Sequence, residues 1–171
     1  GVATDGQAIW QALRDHDGPV NVVIDGIAAS AASLIAMAGD TITMPTGAIL
    51  MIHDPANMWV NGRGTEDDHL AAAAGLRVIA AAYARIYAGR AGITPDEARA
   101  VMKAETYFDG DAAVAAGFAT HADSEAEARA VASFDYRIYE HAPANLRAVS
   151  GDLPRPRAVA SVLAAMAGTL P

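Results

Sequence analysis

The sequence predicts an α/β fold in which helices pack on a largely parallel sheet. Residues 20–24, Val-Asn-Val-Val-Ile, are mostly apolar strand formers, as in strands that are covered on both faces. The small apolar residues of 30–38 follow as a helix, and two further short strands are predicted at 41–44 and 48–52. A strand, a helix and a strand in close succession are typical of an α/β layered domain.

Composition limits the classes of protein that the chain can represent. With 171 residues, 53% of them hydrophobic, it can bury one substantial core, and two independent domains are not expected. A net charge of −8 gives it no electrostatic reason to bind nucleic acid or an anionic membrane surface. The absence of cysteine excludes disulfides, thiolate metal sites and a cysteine nucleophile.

Two kinds of sequence signal are absent. Neither a metal-ligand spacing nor a glycine-rich phosphate loop is visible, so no metal and no cofactor is expected. Neither a signal peptide nor an apolar run of roughly 18–20 residues is visible, which predicts an intracellular, cytoplasmic protein that does not span a membrane.

Further helices are predicted from apolar spacing and from their end signals. The longest covers residues 65–88, where a threonine cap is followed by three acidic residues in the first turn. The helix at 94–103 begins with Thr-Pro-Asp-Glu, which combines an N-cap, a proline at the first position and a glutamate at the third. The remaining segments are predicted as helices at 7–16 and 109–117 and as a last strand at 118–120.

The chain changes character beyond the last predicted strand. Residues 125–132 are predicted as a helix, residues 134–147 mix aromatic and charged side chains, and residues 157–167 form a small amphipathic helix. That helix lacks the apolar surface to fold alone. We therefore divide the chain into a domain at 1–123 and a helical C-terminal appendage at 124–171, which packs on the domain or on a partner chain.

Ser30 lies where a strand meets a helix, in the segment 26–33, Gly-Ile-Ala-Ala-Ser-Ala-Ala-Ser. A serine on such a turn projects its hydroxyl outward, and the N–H groups of the first helical turn point at whatever it attacks. The segment is not the G-x-S-x-G elbow, however, and a serine at an alanine-rich junction is most often only an N-cap. The sequence leaves both interpretations open.

A nucleophilic serine needs a base, and His53 is the strongest choice among five histidines. It ends the apolar strand at 48–52, and α/β folds build their sites at the C-terminal edges of strands. A core or capping role for His53 is the alternative. Of the other histidines, three are predicted to be solvated and the last is ambiguous: His16, His69, His141 and His121.

Spacing alone does not assign the acid that would orient the histidine. Asp54 adjoins His53, but neighbouring side chains in an extended segment point apart. Asp25 precedes the serine turn and is predicted to cap it. Glu105 and Asp109 flank the segment Thr-Tyr-Phe just before the last predicted helix. The residues by themselves therefore leave a serine hydrolase as one alternative among others.

Taken together, four segments resemble the proteolytic subunit of the Clp protease, and more closely its phage-encoded relatives, the ClpP-like prohead maturation proteases. The resemblance extends over residues 1–123, with the segments in the right order. It implies a ClpP/crotonase-like spiral of βαβ units, in which the long helix is the handle that joins rings. The segments are 26–30 (Gly-Ile-Ala-Ala-Ser), 51–53 (Met-Ile-His), 107–108 (Tyr-Phe) and 112–118 (Ala-Ala-Val-Ala-Ala-Gly-Phe).

The resemblance implies a serine endopeptidase that needs no cofactor. By position, Ser30 is the nucleophile and His53 the general base. Glu105 stands where the family places an aspartate, and a glutamate can orient an imidazole in the same way although it is one methylene longer. Asp109 is the fallback for the acid.

The family's oxyanion hole uses two backbone N–H groups, which here correspond to those of Ala31 and Gly1. The match at Gly1 implies that the first strands of the fold precede it in a longer chain. Without a fixed donor at this position, the transition state would lose roughly 2.7–4 kcal/mol of stabilisation.

The partners follow from the resemblance as well. The implied substrate is a polypeptide, a phage capsid or scaffold protein, and the implied enzyme is a homo-oligomeric ring in a phage-bearing bacterial cell or within proheads. A host-type Clp subunit that works with an AAA+ unfoldase is one alternative, and an assembly protein that has lost activity is another. A crotonase-type acyl-CoA enzyme ranks last, because a Ser30/His53 pair has no role there.

Overall fold

The computed structural model describes residues 1–56, 64–127 and 136–149. The chain forms two compact units, residues 1–131 and 132–171. The described part of the first unit combines helices with strands in succession, which confirms the predicted α/β class.

The helices of the first unit lie close to where apolar spacing and end signals place them. The N-terminal helix begins earlier than the predicted residue 7, because the residues before it already have helical hydrogen bonds, such as that from Gly6 N–H to Val2 O at 3.1 Å. The bounds are α1 Ala3–Arg14, α2 Ala31–Ala36, α3 Glu66–Ala91, α4 Pro95–Lys103 and α5 Gly110–Ala115.

Helix α4 starts with the capping box that its sequence predicts. Thr94 Oγ1 accepts the Glu97 N–H at 3.2 Å, and the Glu97 carboxylate accepts the Thr94 N–H at 2.8 Å. Thr65 forms the same reciprocal pair at the start of α3. These contacts satisfy N–H groups that the first helical turn leaves without a partner, which fixes where both helices begin.

Helix α3 ends at Ala91 rather than at the predicted Gly89. Gly92 follows in the left-handed conformation, with φ of 70°, and its N–H donates to Ala88 O at 2.9 Å. Because a residue without a Cβ adopts this conformation at no steric cost, Gly92 rather than Gly89 terminates the helix.

Six strands form two sheets in the described part of the first unit. We call them the parallel sheet, with strand order β1-β3-β6, and the mixed sheet, with order β2-β4-β5. In the mixed sheet β2 and β4 are parallel, whereas β4 and β5 are antiparallel. The bounds are β1 Asn21–Val23, β2 Ile27–Ala29, β3 Thr41–Thr46, β4 Ile49–Ile52, β5 Thr106–Phe108 and β6 His121–Glu127.

Strands β2 and β5 were not predicted, because three residues are too few to show a period. The last strand was predicted at 118–120, but these residues only lead into β6, and the Thr120 N–H already donates to Ile42 O at 2.9 Å. The helix predicted at 125–132 is wrong over 125–127, which belong to β6, where Glu127 pairs with Thr46 of β3. The remainder of that helix and the one predicted at 157–167 lie outside the described residues.

The core of the first unit is shared by both sheets and by four helices, α2 to α5. Leu34 of α2, Ile42 of β3, Leu50 of β4 and Tyr87 of α3 are each at most 1% exposed and belong to one apolar cluster. Burying a side chain of this size contributes roughly 1.5–3 kcal/mol. The two sheets are therefore held by common packing rather than by two separate cores.

Helix α3 has two unlike halves. Its first turns are mostly exposed, and its buried residues begin at Ala80. By length and composition α3 could cross a membrane, so the expectation that no apolar run is long enough is wrong. The observation is weak support for a span, because the core helix of a soluble protein passes the same test.

The second unit is described only in part. It contains a 3-10 helix, Tyr136–Ile138, and helix α6, Ala144–Val149. The guanidinium of Arg147 donates to the backbone carbonyls of Ala142 and Glu140, and Tyr136 and Leu146 are buried. The functional division predicted after residue 123 stays a prediction.

Candidate active site

Ser30 occupies the turn between β2 and α2 in a backbone conformation that side chains rarely adopt. Its φ and ψ are 58° and −124°. A non-glycine residue in such a region costs about 1–3 kcal/mol, and this cost persists only where the surroundings impose it. Here the Ser30 N–H donates to Met51 O of β4 at 3.2 Å, and the Ser30 carbonyl accepts the N–H groups of Ser33 and Leu34 at 3.0 and 3.3 Å.

The hydroxyl of Ser30 does not cap helix α2, although the residue stands at the N-cap position. Instead, Ser30 Oγ lies 2.8 Å from His53 Nε2, within hydrogen-bonding distance. Of the two interpretations that the sequence left open, the structure therefore favours a serine held against a base over a serine that caps a helix.

The parallel pairing of β2 with β4 brings these two residues together. Ala29 pairs with Met51, so that Ser30 and His53 both lie just beyond the C-terminal ends of neighbouring strands. This edge of a parallel pair is where α/β folds place functional side chains. The sheet thus joins two residues that are 23 positions apart in sequence.

Glu105 reaches the same place from the other side of β4. The antiparallel register pairs Ile52 with Thr106, so His53 and Glu105 are the next residues beyond the paired segment, at the same end of the two strands. Glu105 has a positive φ of 49°, and among the described non-glycine residues only Ser30 shares this property. Strained backbone is concentrated at functional sites, so the positive φ of both residues supports a functional role for Ser30 and for Glu105.

Burial and nearby charges set the protonation of His53. Its pKa is lowered from the usual 6.5, chiefly because burial disfavours the charged imidazolium, and the carboxylates of Glu105 and then Asp54 oppose this lowering. Because the pKa is lowered, the imidazole is neutral at pH 7 and free to accept a proton. Glu105 acts on His53 more strongly than the adjacent Asp54 does.

The two backbone positions expected for an oxyanion hole lie side by side. A Cβ atom added to Gly1 would come within 3.0 Å of the Ala31 Cβ, so the two residues are in contact distance. Ala31 is the first residue of α2 and is 6% exposed. The N–H groups of a first helical turn have no partner within their own helix.

Comparison with known proteins identifies the family. A family model described as Clp protease matches residues 1–123. The chain belongs to the Clp protease family. A search of curated proteins finds no match. Family membership confirms the ClpP-like α/β fold, and it makes the protein a relative of serine-type peptidases in general.

Two other acids near this Clp protease site have different partners. Asp54 forms an ion pair with Arg99 of α4. Asp109, the fallback for the orienting acid, caps α5 by accepting the Ala112 N–H at 2.8 Å. Asp25, predicted to cap the serine turn, is exposed. The geometry therefore favours Glu105 as the acid that faces His53.

All four remaining histidines are exposed. His16, His69 and His141 are exposed, as predicted. His121, which sequence left ambiguous, is exposed at the start of β6, and its Nδ1 lies 2.8 Å from the hydroxyl of the adjacent Thr120.

A cavity of about 570 Å³ lies between α1 and α3 in the Clp protease domain, lined in part by Trp10, Arg14, Ile86 and Arg90. Ser30 and His53 do not line it, so it is separate from the candidate active site. Among the described residues, no group of three or more histidines or acids is placed to hold a metal ion.

Sequence reasoning missed how Glu105 is positioned, because it did not recognise β5. The signal was the β-branched and aromatic run Thr-Tyr-Phe directly after the glutamate, which is typical of a strand. It also missed Ser33, whose hydroxyl donates to the Ser30 carbonyl at 2.7 Å.

Proposed function

We propose that the protein is a serine endopeptidase with Ser30 as nucleophile, His53 as general base and Glu105 as the acid that orients the base. The observation that carries this proposal is the 2.8 Å separation of Ser30 Oγ and His53 Nε2 on a strained strand-to-helix turn. A serine becomes a nucleophile when an adjacent base accepts its proton and a third group orients that base.

The proposed reaction is an acyl transfer in two steps. Ser30 Oγ attacks the carbonyl carbon of a peptide bond while His53 Nε2 takes the hydroxyl proton and then gives it to the leaving amine. Water, deprotonated by His53, next attacks the acyl-enzyme ester and releases the carboxylate product. Through both steps the Glu105 carboxylate stabilises the imidazolium that forms.

The backbone N–H groups of Ala31 and Gly1 are proposed to bind the oxyanion of the tetrahedral intermediate. The closeness of Gly1 to the Ala31 side chain, directly after Ser30, supports this assignment. Preorganised donors of this type are worth roughly 2.7–4 kcal/mol each in the transition state.

The proposed substrate is a phage capsid or scaffold protein, cleaved during head assembly by a homo-oligomeric ring inside the bacterial cell or the prohead. The support is the resemblance of residues 26–30, 51–53 and 112–118 to prohead maturation proteases. A glutamate at position 105 and a C-terminal segment unlike that of the host enzyme favour this substrate over those of an unfoldase-dependent Clp subunit.

Labelling with a fluorophosphonate tests the peptidase proposal without knowledge of the substrate. We expect covalent modification of Ser30, located by fragmentation of the labelled peptide, and its loss in Ser30→Ala and after heat denaturation. A folded, oligomeric preparation that takes up no label would instead support an assembly protein without activity.

Co-expression distinguishes the two proposed substrates. Expression with phage capsid and scaffold proteins should give discrete cleavage products that vanish with Ser30→Ala. Co-purification with an AAA+ ring, together with degradation that requires ATP, would replace the phage proposal by the host-type one.

A further inference from the structure

A buried hydrogen-bond chain connects helix α3 to the nucleophile turn. Ser33 is 0% exposed and Tyr87 is 1% exposed. Ser33 Oγ lies 2.7 Å from the Ser30 carbonyl oxygen and 2.8 Å from Tyr87 Oη. The chain therefore runs from the phenol of Tyr87 through the hydroxyl of Ser33 to the backbone of Ser30.

The direction of both hydrogen bonds follows from counting protons. A carbonyl oxygen only accepts, so the single hydroxyl proton of Ser33 is donated to Ser30. Tyr87 must then donate its own proton to Ser33 Oγ. Burial raises the pKa of the Tyr87 phenol above its usual value, so the phenol is protonated at neutral pH and can donate this hydrogen bond.

The ring of Tyr87 is itself fixed by packing. It stands edge-on to Tyr83, with centroids 6.4 Å apart, and edge-on to Phe118, with centroids 6.1 Å apart. Aromatic pairs prefer this geometry, and it leaves the phenol little freedom to move. The anchor of the chain is thus a rigid part of the core.

From these contacts we propose that Ser33 and Tyr87 are positioning residues that hold the Ser30 carbonyl, and with it the strained turn that aims Ser30 Oγ at His53. This proposal rests on the proposed function. The Ser30 carbonyl also accepts the N–H groups of Ser33 and Leu34, but those bonds would persist in an ordinary helix start. The Ser33 hydroxyl is the side-chain contact that can resist relaxation of φ from 58° toward negative values.

The test compares Ser33→Ala and Tyr87→Phe with Ser33→Thr, which keeps a hydroxyl, and with Ile42→Val, which perturbs the core without touching the turn. We expect the rate of fluorophosphonate labelling to fall about tenfold in Ser33→Ala and severalfold in Tyr87→Phe. Ser33→Thr should retain the rate within about threefold, and Ile42→Val should not change it.

Two readouts separate positioning from loss of stability. The pH midpoint of labelling should stay unchanged in both variants, because neither residue is among the groups that shift the pKa of His53. The double variant should label no more slowly than Ser33→Ala, because Tyr87 acts only through Ser33. Additive losses, or a shifted midpoint, would overturn the chain as a positioning device.

A crystal structure of Ser33→Ala decides the proposal independently of activity. We expect the Ser30 φ to relax or the Oγ–Nε2 distance to exceed hydrogen-bonding range. If the wild-type protein takes up no label while this displacement occurs, the proposed function fails and the positioning role stands. If Ser30 keeps its geometry in Ser33→Ala, the positioning role fails whatever the activity.

Discussion

The two sheets of the first unit each have a histidine at the end of a strand, but the two histidines differ in their surroundings. In the parallel sheet, β6 begins with His121, which is exposed and whose Nδ1 lies 2.8 Å from the hydroxyl of its neighbour Thr120. In the mixed sheet, β4 is followed by His53, which is half-buried and contacts Ser30. Both residues are histidines, but only His53 is partly buried and lies against a serine hydroxyl.

The antiparallel strand β5 accounts for much of this difference. A parallel pair such as β2 and β4 presents its two C-terminal ends at one edge. The antiparallel strand starts at that edge, so that the residue before it, Glu105, joins Ser30 and His53 there. Three segments distant in sequence therefore meet at one edge of the mixed sheet, whereas the parallel sheet has no antiparallel strand among its described members.

The comparison between the two histidines gives the largest expected effect. His53→Asn should lower the rate of fluorophosphonate labelling by about 10⁴-fold or more, because the serine loses its base. His121→Asn is the matched control and should change the rate by no more than about twofold. Equal effects of the two substitutions would remove the functional distinction between the sheets.

The comparison between two acids gives the next largest effect. Glu105→Gln should slow labelling by about 10²- to 10⁴-fold, because a neutral amide cannot stabilise the imidazolium. Asp109→Asn is the control, since asparagine caps a helix about as well as aspartate and should leave α5 and the labelling rate intact. A greater loss with Asp109→Asn would transfer the role of the acid to that residue.

The pH dependence of labelling tests the environment of His53. Because its pKa is lowered, the rate should rise with pH through a midpoint below 6.5. The Glu105 carboxylate opposes this lowering, so Glu105→Gln should move the midpoint to still lower pH, and Asp54→Asn should move it in the same direction by less. Midpoints that rise in these variants would contradict the assigned charges.

The same pKa has a consequence for stability. Because the pKa of His53 is lowered in the folded state, the free energy of unfolding decreases as pH falls from 6.5 toward that lowered pKa. Over this interval the unfolded chain binds the proton more readily than the folded protein does. Replacing His53 by Asn should therefore reduce the loss of stability over this pH interval. Thermal unfolding measured at one protein concentration across the interval checks the sign.

Two buried isoleucines give the smallest expected effect. Ile42→Val in the parallel sheet and Ile52→Val in the mixed sheet each remove one methylene from a side chain that is 0% exposed, at a cost of about 0.5–1.5 kcal/mol in the free energy of unfolding. Only Ile52→Val, which changes the residue next to His53, should also slow fluorophosphonate labelling. Denaturant unfolding and labelling of the same samples measure both quantities.

The sequence predicted the elements whose signals are local. The capping boxes at Thr65 and Thr94 fix the starts of α3 and α4 from a few neighbouring residues. The apolar run before His53 was sufficient to predict β4 within one residue. The α/β class followed, because it depends only on the order of such elements.

Local sequence signals did not predict the short strands β2 and β5 or the bounds of the last strand. Strands β2 and β5 have three residues each, and β6 contains acidic residues with little strand preference that are held in place by pairing with β3. The segment 125–127 was predicted as helix because propensity was the only guide there, and tertiary pairing overrides it.

For the candidate site, the sequence by itself determined which side chains were available: a serine at a strand-to-helix turn, a histidine after an apolar strand and a glutamate before an aromatic pair. Only the tertiary structure decided that Ser30 contacts His53 instead of capping α2, and that Glu105 lies close enough for its charge to act on His53 while Asp109 caps α5. The physical reason is that strand register, not spacing along the chain, sets which residues meet across a sheet.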